Sequence, residues 1–191
     1  MNSKKRSIIE SAFNLFYNKG IHAVGINEII KVADVAKKTL YNHFESKDEL
    51  ILATLEYRDQ IMTDWLTQEL NKAELGKDAL LVLFEALDDW INGRAKALGP
   101  FKGCYFINTC AEYGDINKQI YLACKEHKDN IKALIQVHVD SFESNTQKNA
   151  LLVETICLLK EGVITTALVQ KESTSAQNAG ACLENLLRFK R

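Results

Sequence analysis

Cations, hydroxyl groups and an amide are concentrated between positions 37 and 47 of this 191-residue chain. The polar side chains of this stretch are Lys37, Lys38, Thr39, Tyr41, Asn42, His43 and Lys47. Lysines and hydroxyls bind phosphate oxygens, and an asparagine amide can pair with the edge of an adenine. The stretch therefore predicts a surface that binds double-stranded DNA.

The spacing of the apolar residues predicts four helices to carry this surface, at about residues 4–18, 26–32, 37–44 and 46–70. Gly20 follows the first helix as a C-cap, and Asp34 stands where a turn between crossing helices needs a residue that tolerates positive φ. Ser46 and Glu49 have the spacing of a capping box that begins the fourth helix. This arrangement is a helix-turn-helix.

The apolar side of the third helix is expected to be core. Leu40 and Phe44 should pack against Phe13, Phe16 and Ile29. His22, in the turn after the first helix, is expected to be solvated or to cap that turn. Residues 4–6, Lys-Lys-Arg, are expected to form a flexible arm that adds contacts to the DNA backbone.

Five more helices are expected, at about residues 79–91, 102–113, 117–142, 150–170 and 175–189, with a break at Gly114-Asp115 and a polar loop at 143–149. The fold class is therefore all-α, with about nine helices. Apolar residues cover nearly the whole circumference of the eighth helix, and such a helix must be buried on every side. We expect the last two helices to pack against those of a second copy, forming a homodimer; burial within one chain is the alternative.

Composition narrows the functional classes. Residues 1–47 carry eight Lys/Arg and four Asp/Glu, although the whole chain has a net charge of −1, so a basic head precedes an acidic body. The N-terminus lacks a signal-peptide pattern, and no apolar run is long enough to span a bilayer, which leads us to expect a cytoplasmic protein. The five cysteines are odd in number and show no C-x-x-C spacing, so we expect no disulfide framework, metal or cofactor.

Enzyme motifs are missing from the sequence. It contains no glycine-rich phosphate loop, no H-E-x-x-H and no nucleophile elbow, so we expect no enzyme. A cysteine-dependent enzyme is the rival class, and a DNA-binding dimer without an effector is a further alternative.

The run Thr39-Leu40-Tyr41-Asn42-His43-Phe44, followed by Lys47 and Leu50, resembles the DNA-binding domain of TetR-family repressors, which ends in T-L-Y-x-H-F-x-x-K-x-x-L. The resemblance covers about residues 4–50. Gly25, Ile30, Asp34 and Ala36 depart from the usual pattern. The resemblance implies a helix-turn-helix domain at 1–47, a helical ligand-binding and dimerisation domain at 48–191, and a homodimeric repressor that an effector releases from a palindromic operator.

The resemblance also implies roles for the polar residues. The phosphate-binding set would be Tyr41, His43 and Lys47. The set facing the major groove would be Lys37, Lys38, Thr39 and Asn42, although Lys37 and Lys38 could instead bind phosphates alone.

A polar stripe on the sixth helix is the first candidate for effector sensing. Cys104, Asn108 and Glu112 are four residues apart and lie on one face. The pattern, G-C-x-x-x-N-x-x-x-E, is similar to that of a TetR-family branch that includes regulators responding to reactive electrophiles and quinones. Cys104 could be a sensor thiol at a helix N-terminus, or it could be a core residue while Asn108 and Glu112 tie helices together.

Aromatic residues of the body are the second candidate for effector binding. The predicted lining is Trp65, Phe84, Trp90, Phe106, Tyr113, Tyr121 and His138, and each of these could equally be core. Such a pocket would suit a small hydrophobic effector.

Overall fold

The computed structural model describes residues 3–113 and 117–188, which form nine α-helices and no β-strand. The helices are α1 Ser3–Lys19, α2 Ile26–Ala33, α3 Lys37–Tyr41, α4 Lys47–Leu70, α5 Lys77–Ile91, α6 Tyr105–Tyr113, α7 Lys118–Asp140, α8 Thr146–Gln170 and α9 Ser175–Arg188. A 3-10 turn lies at Lys96–Leu98. The predicted all-α fold of about nine helices is confirmed. No helix among the described residues is both long and apolar enough to cross a membrane.

The chain divides into two compact units. The first comprises residues 1–60 and 104–127, so it holds α1 to α3, the first part of α4, α6 and the beginning of α7. The second comprises residues 61–103 and 128–191, so it holds the rest of α4 and α7 together with α5, α8 and α9. α6 is therefore grouped with the N-terminal helices.

The residues predicted to form the core of the first unit are buried. Leu40 and Ile29 are fully buried, and Phe44 is 1% exposed. α4 begins at a capping box, because the Glu49 amide donates to Ser46 Oγ (3.1 Å) and the Glu49 carboxylate accepts the Glu45 amide (2.6 Å).

Two predicted helix boundaries were wrong for local reasons. α3 ends at Tyr41 and not at Phe44, because the amides of His43 and Phe44 both donate to the Leu40 carbonyl (3.0 Å each) and tighten the last turn. α6 begins at Tyr105 and not at residue 102. Gly103 precedes it with φ = 83°, a conformation outside the right-handed helix.

Other predicted boundaries also differ. The polar loop is shorter than expected, because the Asn145 side chain accepts the Lys148 amide (3.0 Å) and starts α8 at Thr146. The predicted arm at residues 4–6 is wrong, since these residues belong to α1 and Arg6 pairs with Glu10 (2.8 Å). The predicted break at Gly114-Asp115 and the predicted end of α9 at Phe189 lie outside the described residues.

In the second unit, α5, α8 and α9 pack against one another. Leu83 of α5 and Leu183 of α9 are fully buried, as is Ile156 of α8. The other side of α8 is apolar but uncovered in the single chain. Its most exposed large apolar side chains are Leu151 (68%), Leu158 (71%) and Val169 (71%).

Candidate nucleic-acid interface

A tight turn sets the angle between α2 and α3. Asp34 adopts the left-handed conformation (φ 51°, ψ 52°), and its amide donates to the Ile30 carbonyl. This confirms the predicted role of Asp34. Ala36 is the N-cap of α3 and offers no side-chain cap, so its carbonyl accepts the amides of Thr39 (2.8 Å) and Leu40 (3.3 Å) without side-chain support.

The outward side of α3 carries the groups predicted to bind DNA. Lys37, Lys38 and Asn42 are exposed, and Tyr41 is 45% exposed. Leu40, on the inward side, is fully buried. The helix is thus fixed to the core by one side while the other presents cations, a phenol and an amide to solvent.

Three of the predicted residues are only half exposed, namely Thr39, His43 and Lys47. Of these, Lys47 is the most constrained. Its ammonium donates to the Ile21 carbonyl (2.6 Å) and lies 5.7 Å from the centre of the Phe16 ring. Burial lowers the pKa of Lys47, and the nearby carboxylates of Glu112 and Asp48 partly oppose that shift.

Lys47 can still bind a phosphate from this position. An ammonium has three N–H donors, and the Ile21 carbonyl takes only one of them. The amides of the first turn of α4 add the partial positive charge of a helix N-terminus.

The sixth-helix stripe lies in the first unit and has partners that the sequence did not identify. The Glu112 carboxylate accepts the amides of Ile21 (2.9 Å) and His22 (2.7 Å). The His22 ring stacks on Tyr113 with 4.5 Å between centres, so the exposed His22 has a specific partner on α6. Asn108 is half-buried, and its backbone amide donates to the Cys104 carbonyl (3.0 Å).

Cys104 stands immediately before α6 and is 6% exposed. A buried cation lies in its surroundings: Arg58 of α4 is 2% exposed, with its guanidinium carbon 5.3 Å from the centre of the Phe13 ring and 5.5 Å from that of Tyr17. Burial lowers the pKa of Arg58, while the negative forms of Tyr17 and Cys104 raise it. No sequence pattern indicated Arg58, because a lone arginine on a long helix gives no sign of burial.

His127 is a second buried group that the sequence left unexplained. It is 2% exposed, its ring stacks on Phe106 (3.5 Å between centres, 7° between planes), and its Nδ1 lies 2.6 Å from Asp59 Oδ1. Phe106 is therefore part of a packed stack in the first unit.

The other residues predicted to line an effector pocket lie in different parts of the two units and differ in exposure. In the second unit, Trp90 is 1% exposed and packs edge-on against Phe101, and His138 accepts the Gly76 amide (3.3 Å). Burial lowers the pKa of His138. Phe84 lines a groove of about 590 Å³ between α5 and α9. Trp65 is 7% exposed, whereas Tyr121, in the first unit, is 46% exposed.

Comparison with known proteins agrees with this geometry. The family model described as "Bacterial regulatory proteins, tetR family" matches residues 8–54, which include α2, α3 and the start of α4. The Transposon Tn10 TetC protein of Escherichia coli is 31% identical over 150 residues, 78% of this chain and 75% of that protein.

Two further proteins are similar. The transcriptional activator FasR of Mycolicibacterium smegmatis is 33% identical over 88 residues, and this match spans 46% of this chain but only 40% of FasR. The crystal structure of SCO4454, a TetR-family regulator from Streptomyces coelicolor, superposes with a TM-score of 0.86 at 24% identity, covering 97% of this chain and 95% of that one. The chain belongs to the TetR family and is a DNA-binding transcriptional regulator with a helix-turn-helix head on a helical body.

Proposed function

We propose that the chain is a homodimeric repressor whose two heads, residues 1–47, bind the two halves of a palindromic operator. The body, residues 48–191, would dimerise and respond to a small hydrophobic or electrophilic effector. The observation that carries the proposal is the division of α3 into a buried side at Leu40 and an exposed side of cations and polar groups. A recognition helix needs this division to enter a major groove.

The DNA contacts follow from the exposed side of α3. Asn42 is exposed at the C-cap of α3, where its amide can pair with an adenine in the major groove. Lys37, Lys38 and Thr39 face the same groove in this proposal. Tyr41, His43 and Lys47 bind phosphates, which fixes the register of the head on the duplex.

The uncovered side of α8 supports the dimer. Leu151, Leu158 and Val169 lie on a helix whose opposite side is core, and Leu186 of α9 is also 47% exposed. Covering these side chains with the same helices of a second copy gives a two-fold interface. Two-fold symmetry of the protein matches the two-fold symmetry of a palindromic site.

The effector is proposed to act on α6 or on the aromatic residues of the body. Cys104 fits a sensor thiol, because it lies at the start of a helix, where the partial positive charge favours a thiolate. Burial of Cys104 and the bonds of Glu112 to the α1–α2 turn favour the alternative, in which this stripe ties helices together. An effector needs to favour the non-binding state by only about 1–3 kcal/mol to weaken operator binding 5–150-fold.

A titration of operator DNA tests the proposal. The tightest duplex recovered from a random pool would be bound by the full chain and challenged with a quinone, and separately with hydrophobic compounds, for wild type and Cys104→Ser. Release of the wild type alone by the quinone assigns the thiol sensor. Release of both proteins by a hydrophobic compound assigns a non-covalent effector. If no compound releases the DNA, the body only dimerises. If the protein increases transcription of a reporter gene placed downstream of the bound site, it is an activator and not a repressor.

A further inference from the structure

The Glu112 carboxylate holds the turn between α1 and α2. Its two oxygens each accept one backbone amide, Oε1 that of Ile21 (2.9 Å) and Oε2 that of His22 (2.7 Å). Gly20 makes room for the Glu112 carboxylate. It has a φ of 85°, and the Cβ of any other residue at this position would lie only 3.3 Å from Glu112 Oε1. The turn and the carboxylate therefore fit each other closely.

The same turn is held from a second side. Lys47, at the start of α4, donates to the Ile21 carbonyl (2.6 Å), so both polar groups of Ile21 are bonded to side chains from different helices. His22 adds a third connection, because its Nε2 donates to the Glu112 carbonyl (3.1 Å) and its ring stacks on Tyr113. The start of α4, which supplies Lys47, is itself bonded to the residue before α7, because Asn117 donates to Asp48 Oδ2 (2.8 Å).

The turn between α1 and α2 determines where α2 begins. Ile21 is 1% exposed and Val24 is fully buried, so the turn is anchored in the core as well as by its polar groups. The Gly25 carbonyl then accepts the amides of Glu28 (3.1 Å) and Ile29 (3.3 Å), the first bonds of α2. α2 in turn fixes α3 through the Asp34 turn. A displacement of the α1–α2 turn therefore changes the orientation of α3.

We propose that Glu112 is a positioning residue for DNA reading: α6 holds the α1–α2 turn, and through it the orientation of α3. This inference rests on the proposed function and adds to it a route by which α6 affects DNA binding. A helix rises about 1.5 Å per residue, so Cys104, immediately before α6, and Glu112, near the end of α6, lie about 12 Å apart along the helix axis. A shift of α6 of about 1 Å directly away from the turn would lengthen the two carboxylate bonds beyond hydrogen-bonding distance. In this proposal, a change at Cys104 that moved α6 by this distance would release the turn.

Amide hydrogen exchange in the full chain tests the hold on the turn. Glu112→Ala removes both acceptors, and we expect the Ile21 and His22 amides to exchange at least about tenfold faster, since bonds to a charged group are lost. Glu112→Gln keeps one acceptor oxygen, so it should have an intermediate effect. Glu126→Ala, which changes an exposed glutamate of α7 in the same unit, is the matched control and should leave both amides unchanged. The exchange rates of amides within α8 show whether a variant also loses overall stability.

DNA binding separates positioning from a loss of folded protein. Misorientation of α3 weakens binding to the selected operator more than binding to random duplex, whereas a smaller folded fraction weakens both equally. We expect Glu112→Ala to lower the ratio of the two affinities about tenfold and Glu126→Ala to leave it unchanged. Unchanged exchange at Ile21 and His22, or an unchanged ratio, overturns the proposal. If wild type binds both duplexes equally, the proposed function fails, and the exchange rates alone then decide the hold on the turn.

Discussion

Removing the charge of Lys47 should change the salt dependence of DNA binding by a calculable amount. A cation that neutralises one phosphate adds about 0.9 to the slope of log K against log salt. A homodimer loses two such contacts in Lys47→Ala, so the slope should become shallower by about 1.8. Between about 50 and 200 mM salt this difference makes the ratio of mutant to wild-type Kd fall about tenfold.

The slope is informative because Lys47→Ala also removes the bond to the Ile21 carbonyl. That loss costs about 1 kcal/mol of folding stability and would weaken binding at every salt concentration alike. Fluorescence anisotropy titrations at four salt concentrations separate the two effects. Lys47→Arg keeps the charge and should keep the slope, as should Lys72→Ala, which changes an exposed lysine of the second unit. Equal slopes for wild type and Lys47→Ala would refute the phosphate contact.

Three further predictions follow from exposure and burial. Asn42→Ala should remove the preference at one base pair of each half-site, worth about 1–3 kcal/mol, in a profile of selected sites; an unchanged profile would remove Asn42 from base reading. Leu158→Lys should convert the proposed dimer to monomer in sedimentation velocity, because each copy would bury that side chain in the proposed interface. Leu75→Lys, at a side chain 63% exposed outside α8 and α9, should stay dimeric. Phe44→Ala should cost about 3–5 kcal/mol of unfolding free energy by emptying a site that is 1% exposed, and a loss below about 1 kcal/mol would contradict its place in the core.

The division of α3 into an exposed polar side and a buried apolar side was largely predictable, because its signals are local. Residues 37–47 carry the cations and polar groups, and Asp34 indicated a left-handed residue in the turn that precedes them. The end of α3 was not predictable from periodicity, since Phe44 is buried whether or not it lies in the helix. The end of α3 depends on which backbone carbonyl accepts the last amides of the helix.

The surroundings of α6 could not be predicted, because they depend on pairs far apart in sequence. The stripe of Cys104, Asn108 and Glu112 indicated that polar groups needed partners. The partner of Glu112, at Ile21, is 91 residues away and uses a backbone amide, which no side-chain pattern reveals. The pairing of His127 with Asp59, 68 residues apart, was hidden for the same reason.

Selection of bound sites from random duplex DNA tests the central claim most directly. Two heads on a symmetric dimer should enrich a palindrome whose half-sites lie about 34 Å apart, one helical turn, or a multiple of that distance. Wild type and Leu158→Lys would be compared, since the monomer should enrich single half-sites only weakly. A pool without any enriched sequence, or an enriched site without two-fold symmetry, would contradict a pair of helix-turn-helix heads that read the two halves of an operator.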